Sequence, residues 1–316
     1  MISVIIPTHN PNPVFFVQTL DSLTKQTTDK LEVIVVENPE LTEPVTELCR
    51  EYSGDLHIRH ITSEVGANNA RNKGAEVATG DILFFIDDDI ILSNTILEKY
   101  EAAHSIYNAG IIGGPVHLRY IDGKPRWINK HFEGYLARVD HGNPYGMTPF
   151  ELWQRWELDV PIVSANMSIK KNVFNTLGGF DADQGYIGGS LLAPNDELNL
   201  IIAACKGYNP GMIYMPESYV THLIPKERTC EEFFVRRMYG QGVADFRSFS
   251  KINPNLSRLE VYEKILLEHS SLMINDASSF YCLFDGMKRI ERLYATKTYH
   301  KARNEYVNGI LSQIHI

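Results

Sequence analysis

The chain of 316 residues is 44% hydrophobic and 22% charged, close to the averages for a soluble globular protein, and its net charge of −9 argues against nucleic acid as a partner. Its length suits one large domain with an appendage, or two domains. "MISVIIPTHN" does not read as a signal peptide, and no run approaches the ~18 apolar residues of a transmembrane helix. Cys49, Cys205, Cys230 and Cys282 are far apart, so reduced thiols in a cytoplasmic protein are expected.

In chain order, "ISVIIP" is a β-branched run ended by proline and predicts a buried strand. Asn12 before Pro13 predicts a capped helix, with Val17, Leu20 and Leu23 at helical spacing. "LEVIVVE" (31–37) reads as a second strand, Thr42 with Pro44 as a helix start, and "LHIRHI" as a weaker third strand. "GANNARNKGAEVATG" (66–80) reads as a helix bounded by glycines, and "DILFFI" (81–86) as the fourth strand. Ser93 is a candidate cap for the helix after it. Four strand–helix alternations in about 105 residues imply a parallel sheet covered by helices, with ligands bound at the carboxyl ends of its strands. The later chain is less regular. "AGIIGGPVHL", "VPIVSANMSIKK", "MIYMP" and "YVTHLI" read as strands and "DELNLIIAACKG" as a helix, and from about Thr229 the chain is mainly helical. The aromatics of 119–159, among them Trp127, Phe132 and Trp156, suit a core or a sugar platform equally.

The fourth strand delivers Asp87, Asp88 and Asp89 to one of those carboxyl ends. Adjacent carboxylates repel, and a divalent cation between them removes that cost. An acidic helix-entry turn explains one aspartate. Three after "ILFFI" favour a site for Mg²⁺ or Mn²⁺ and a diphosphate.

Taken together, "VIIPTHN", "VIVVEN", "GANNARNKG", "FFIDDDI", "SANMSIKKNVFNTLGGFD", "NDELNLIIAACKGY" and "YVTHL" resemble, in order, the motifs of family 2 glycosyltransferases. The resemblance covers roughly 1–225. It implies an α/β GT-A fold, a mainly parallel Rossmann-like sheet flanked by helices, with a helical C-terminal extension. It implies a GT-A domain at 1–225, split into a nucleotide-sugar half (1–118) and an acceptor half (119–225), before a helical region at 226–316. The implied activity is inverting, metal-dependent transfer from a nucleotide-diphosphate sugar, expected to be uridine-linked, to a glycan, a lipid-linked sugar or a small metabolite.

The same resemblance implies roles for single residues. Pro7, Thr8, His9, Asn10, Glu37, Asn38, Arg71, Asp87 and Asp88 would bind the donor. Asp89, Asp87 and His222 would hold Mn²⁺ or Mg²⁺. Asn166 and Trp156 would serve the acceptor, and Asp196 or Glu197 would be the general base. Read without the family, Arg71 suits a solvated charge, His222 a core histidine, and Asp196 a helix cap that leaves Glu197 as base. The chain departs from the pattern at Glu37–Asn38, where paired aspartates usually stand, and at Pro194–Glu197, where the expected catalytic aspartate falls on Asn195 or Asp196 according to how one residue of slack is placed. The absence of Gln-x-x-Arg-Trp after that helix favours single addition over processive synthesis. A sugar-phosphate nucleotidyltransferase would need glycines in "IPTHNPNP", which has none; a silent nucleotide-sugar or glycan-binding protein is the other alternative. Basic "KERTCEEFFVRR" reads as a solvated helix, with peripheral membrane contact and a homodimer left open.

Overall fold

A computed structural model describes residues 1–141, 145–147, 162–182, 185–187, 191–193, 197–265 and 289–314. The strands are β1 (Ile2–Thr8), β2 (Leu31–Glu37), β3 (Ile58–Thr62), β4 (Ile82–Phe85), β5 (Ile90–Leu92), β6 (Ile111–Gly113), β7 (Val116–Tyr120), β8 (Tyr145–Met147), β9 (Met167–Lys170), β10 (Gly185–Ile187), β11 (Leu191–Ala193), β12 (Met212–Tyr214) and β13 (Val220–Ile224). The helices are α1 (Pro13–Thr24), α2 (Glu43–Glu51), α3 (Ala67–Val77), α4 (Ile96–Ile106), α5 (Lys130–Gly134), α6 (Lys171–Leu177), α7 (Leu198–Gly207), α8 (Glu231–Ile252) and α9 (Arg289–Ser312).

The main sheet has the order β3-β2-β1-β4-β9-β6-β12-β8. β1 lies parallel between β2 and β4, and every one of its seven residues is buried. Both faces of such a strand meet helices, which is why "ISVIIPT" is a continuous apolar run rather than an alternating one. Each fully buried Ile or Val of this kind contributes about 1.5–3 kcal/mol. β9 runs antiparallel to both β4 and β6, so the sheet is mainly rather than wholly parallel.

Local chemistry sets the element ends. Asn12 caps α1 through its side-chain oxygen, which accepts from Val14 and Phe15 amides, with Pro13 in the first turn. Thr42 precedes α2 without capping it, because its hydroxyl donates to Glu37 instead. α4 starts after Thr95 rather than at Ser93, since Ile90–Leu92 forms a strand not expected from sequence. The run "AGIIGGPVHL" breaks into β6 and β7 around Gly113–Pro115, and the two halves join different sheets. The smaller sheet, ordered β5-β13-β7, pairs His222 with Ile90 in antiparallel register.

The chain divides into two compact units: Met1–Arg119, Ala137–Gly188 and Asp196–Leu223 form one, and Tyr120–Leu136, Gly189–Asn195 and Ile224–Ile316 the other. The second draws two segments from inside the stretch read as an acceptor half. There Trp127, Phe132 and Phe234 pack mutually with ring centroids 5.1–5.4 Å apart, so Trp127 and Phe132 serve a core rather than an open sugar platform. In the same unit, α8 and α9 approach at two glycines. A Cβ on Gly242 would lie 2.1 Å from the Tyr306 carbonyl oxygen, and one on Gly309 would lie 2.1 Å from that of Tyr239. No helix among the described residues is long and apolar enough to cross a membrane.

Candidate active site

The parallel register sets Thr8 beside Glu37 at the ends of β1 and β2, and β4 runs alongside, so Pro7–Asn10, Glu37–Asn38 and Asp87–Asp89 share one edge of the first unit. Pro7 and Thr8 are buried; His9 and Asn10 are exposed, and Asn10 has a positive φ of 49°, a conformation asparagine tolerates. The His9 Nδ1 lies 2.6 Å from the Asn38 carbonyl oxygen.

The aspartate triplet fills the connection between β4 and β5, and each carboxylate has a partner on a different element. Asp87 accepts from the Arg71 Nη2 of α3 at 3.0 Å. Asp88 accepts from the Thr8 hydroxyl of β1, while its backbone carbonyl accepts from the Thr19 hydroxyl of α1 at 2.9 Å. Asp89, 5% exposed, sits 3.2 Å from the His222 Nε2 of β13, and its carbonyl accepts from the Leu223 amide. The three side chains diverge toward three different neighbours, which relieves the repulsion that their adjacency implies.

Arg71 is buried rather than solvated. Its Nη1 donates to the Asn68 Oδ1 at 3.0 Å, and its guanidinium lies 5.5 Å from the centroid of the Phe180 ring. A buried, hydrogen-bonded guanidinium is a fixed cation that a diphosphate can meet without reorganisation.

Glu37 behaves differently from its expected donor role. It is 1% exposed and accepts from the Thr42 amide at 2.8 Å, the Thr42 hydroxyl at 2.6 Å and the His60 Nε2 at 3.0 Å. Those three contacts occupy its oxygens, so it pins the loop after β2 and leaves the adjoining, buried Asn38 as the nearer candidate for a ligand. The chain gives no sequence signal for His60, which lies one strand over. Near the same loop, burial and then the charge of Glu37 push the Cys49 thiol up to about 12, so it is inert at neutral pH.

Asn166 has its whole amide engaged. Its Oδ1 accepts from the Tyr100 hydroxyl at 2.7 Å, and its Nδ2 donates to the carbonyls of Pro115 and Ser218 at 2.9 and 2.8 Å. It can shape a floor, but it is fully buried and both of its amide hydrogens are already donated. Glu197 occupies the N-cap position of α7, the place sequence reasoning gave to Asp196; it is buried, and its side chain does not cap the helix. Asp196 and Trp156 lie outside the described residues.

The three-residue metal set expected from sequence is not assembled. Among the described residues no group of three or more His, Cys, Asp or Glu could hold a metal ion, and Asp87 is engaged by Arg71. What remains is the buried Asp89–His222 pair, one carboxylate oxygen and one imidazole nitrogen. This donor set fits a small divalent cation that takes the rest of its shell from phosphate oxygens and water.

The family model for glycosyl transferase family 2 matches residues 3–178. The chain belongs to the family 2 glycosyltransferases. A glycosyltransferase of Haemophilus influenzae is 36% identical over 310 residues, covering 94% of each chain. The glucosyl-dolichyl phosphate glucuronosyltransferase of Haloferax volcanii is 26% identical over 234 residues, covering 72% of this chain and 70% of its own. Among solved structures, the mannosyltransferase of Pyrobaculum calidifontis in complex with GDP-Man and Mn²⁺ superposes with a TM-score of 0.60 at 19% identity, covering 99% of this chain and 86% of the other. The fold is therefore GT-A, and the protein is a transferase.

Proposed function

We propose that this glycosyltransferase moves a sugar, with inversion, from a nucleotide-diphosphate sugar to an acceptor hydroxyl and uses a divalent cation to do so. The observation that supports this reading is the three-way split of the aspartate triplet, in which Asp87 meets the Arg71 guanidinium and, two residues on, Asp89 lies against His222. Asp89 and His222 would hold the cation, Mn²⁺ or Mg²⁺. When bound, it neutralises charge that develops on the departing diphosphate.

The remaining steps belong to the chain's own side chains. Arg71, oriented by Asp87 and Asn68, would face the same diphosphate from the other side. Asp87 is half-buried and would meet the donor's ribose or phosphate edge. His9, Asn10 and Asn38 would border the base. A carboxylate at the start of α7, Glu197 or Asp196, would accept the proton of the acceptor hydroxyl as it attacks C1 opposite the leaving group. A uridine carrier is favoured, and the acceptor is a glycan, a lipid-linked sugar or a small metabolite.

The test is donor hydrolysis in the presence of Mn²⁺ with UDP-linked and GDP-linked sugars. Wild type releases nucleotide diphosphate and Asp89→Ala does not. Donor binding without turnover, across a broad acceptor panel, would sink the transferase mechanism and leave a binding protein.

A further inference from the structure

Two asparagines of α3, Asn68, which orients Arg71, and Asn72, both reach the backbone that follows α6. Asn72 binds Phe180 in both directions: its Nδ2 donates to the Phe180 carbonyl at 2.8 Å, and its Oδ1 accepts from the Phe180 amide at 2.9 Å. One side chain thus does what a neighbouring strand would do. Gly179 makes the approach feasible, since its φ is +75° and a Cβ there would lie 2.8 Å from the Asn72 Oδ1. One helical turn earlier, the fully buried Asn68 donates from its Nδ2 to the Asp181 carbonyl at 2.8 Å.

A plain loop anchor would stop there. Asn68, however, uses its other amide atom to accept from Arg71, whose far nitrogen holds Asp87. The clamped Phe180 supplies the ring against the Arg71 guanidinium and stands edge-on to Phe85 of β4, 5.0 Å between centroids. The Asp181 Oδ2 in turn accepts from the Asn199 Nδ2 at 3.2 Å, in the first turn of α7 and two residues beyond Glu197. A continuous series of hydrogen bonds therefore runs from Asp87 through Arg71, Asn68 and Asp181 to the helix end that carries the candidate base.

We infer that Asn68 and Asn72 are positioning residues that set the diphosphate-facing Arg71 in register with the base-bearing start of α7. The inference rests on the transferase reading. Neither asparagine touches substrate. Asn72 fixes the loop that bears on α7, and Asn68 fixes Arg71 as well as that loop. The two should therefore fail differently: losing Asn72 misplaces the base relative to a donor that still binds, whereas losing Asn68 also slackens the grip on the diphosphate. Misplacement of reacting groups by about 1 Å costs on the order of 100-fold in rate.

The experiment measures kcat and donor KM for hydrolysis of UDP-glucose and GDP-mannose with Mn²⁺, and affinities for UDP and GDP by calorimetry. The proteins are wild type, Asn72→Ala, Asn72→Ser, Asn68→Ala and the surface control Lys73→Ala, each first checked by thermal unfolding. Asn72→Ala should lower kcat by roughly 10- to 100-fold with donor KM and diphosphate affinity within about twofold. Asn68→Ala should lower kcat and also weaken diphosphate binding by about 10-fold. Asn72→Ser, too short to bridge both Phe180 groups, is read by the same split if Asn72→Ala does not fold. An active wild type whose folded Asn72 variants keep kcat within twofold overturns the clamp alone. So does an Asn68→Ala protein that binds diphosphate as tightly as wild type. A wild type that binds UDP or GDP with Mn²⁺ yet turns over neither donor overturns the proposed mechanism, and this inference with it.

Discussion

The ends of β2 and β4 occupy equivalent places in the parallel sheet, one strand apart on either side of β1, and both present carboxylates. At β2, Glu37 is closed off by Thr42 and His60 and is 1% exposed. At β4, the oxygens are shared among Arg71, Thr8 and His222, and Asp87 and Asp88 stay half-exposed. Topology delivers acidic residues to both places; what distinguishes a structural carboxylate from a reactive one is how many protein donors surround it. A carboxylate fully served by amide, hydroxyl and imidazole gains stability, while one that shares a single guanidinium keeps lone pairs for a ligand.

That contrast can be broken or sharpened by substitution. The largest effect is expected at β4: Asp89→Ala should lower Mn²⁺-dependent release of nucleotide diphosphate by at least roughly 100-fold, and a residual rate within tenfold of wild type would erase the distinction. At β2 the cost should fall on folding. Glu37→Gln turns an amide toward groups that already donate, and should reduce unfolding free energy by about 2–3 kcal/mol in urea titrations while changing kcat by less than about threefold. Arg71→Lys comes next. An ammonium cannot bridge Asp87 and Asn68 together, so donor KM should rise about tenfold with little loss of stability.

The smallest effect lies away from both strand ends. His104 of α4 is buried with its Nε2 3.1 Å from the Ser168 hydroxyl; burial, helped by the nearby Lys170 charge, pushes its pKa down to about 4. The unfolded chain, with an ordinary histidine near 6.5, binds this proton more readily, so the contribution is complete above that pH and is lost as pH falls toward 4. Between pH 7 and 5.5 the loss is about 1 kcal/mol, and His104→Gln should flatten that part of the stability profile by the same amount.

The strand–helix alternation was legible because burial on both faces leaves a plain apolar run, as in Ile2–Pro7 and Leu31–Val36. Asn12 and Pro13 announced α1 through a cap that uses only neighbouring atoms. Contacts between distant segments were not legible. Nothing in "LHIRHI" says that His60 will serve Glu37, and nothing in "GANNARNKG" says that two of its asparagines grip Phe180 and Asp181. The triplet itself was visible, but its division among α3, β1 and β13 was not, since that depends on where three separate elements come to rest. β5 is not legible in the sequence because three apolar residues after a charged run also suit a helix entry.

The crossing of α8 and α9 carries a consequence of its own. Gly242 meets Tyr306, three residues before Gly309, and Gly309 meets Tyr239, three residues before Gly242. The crossing therefore has a local pseudo-dyad, and the two missing methyls are mirror roles in one joint. An alanine at either place acts as a wedge, and once one wedge has parted the rods the second slips into room already made. The double replacement should therefore cost distinctly less than the two single ones added together.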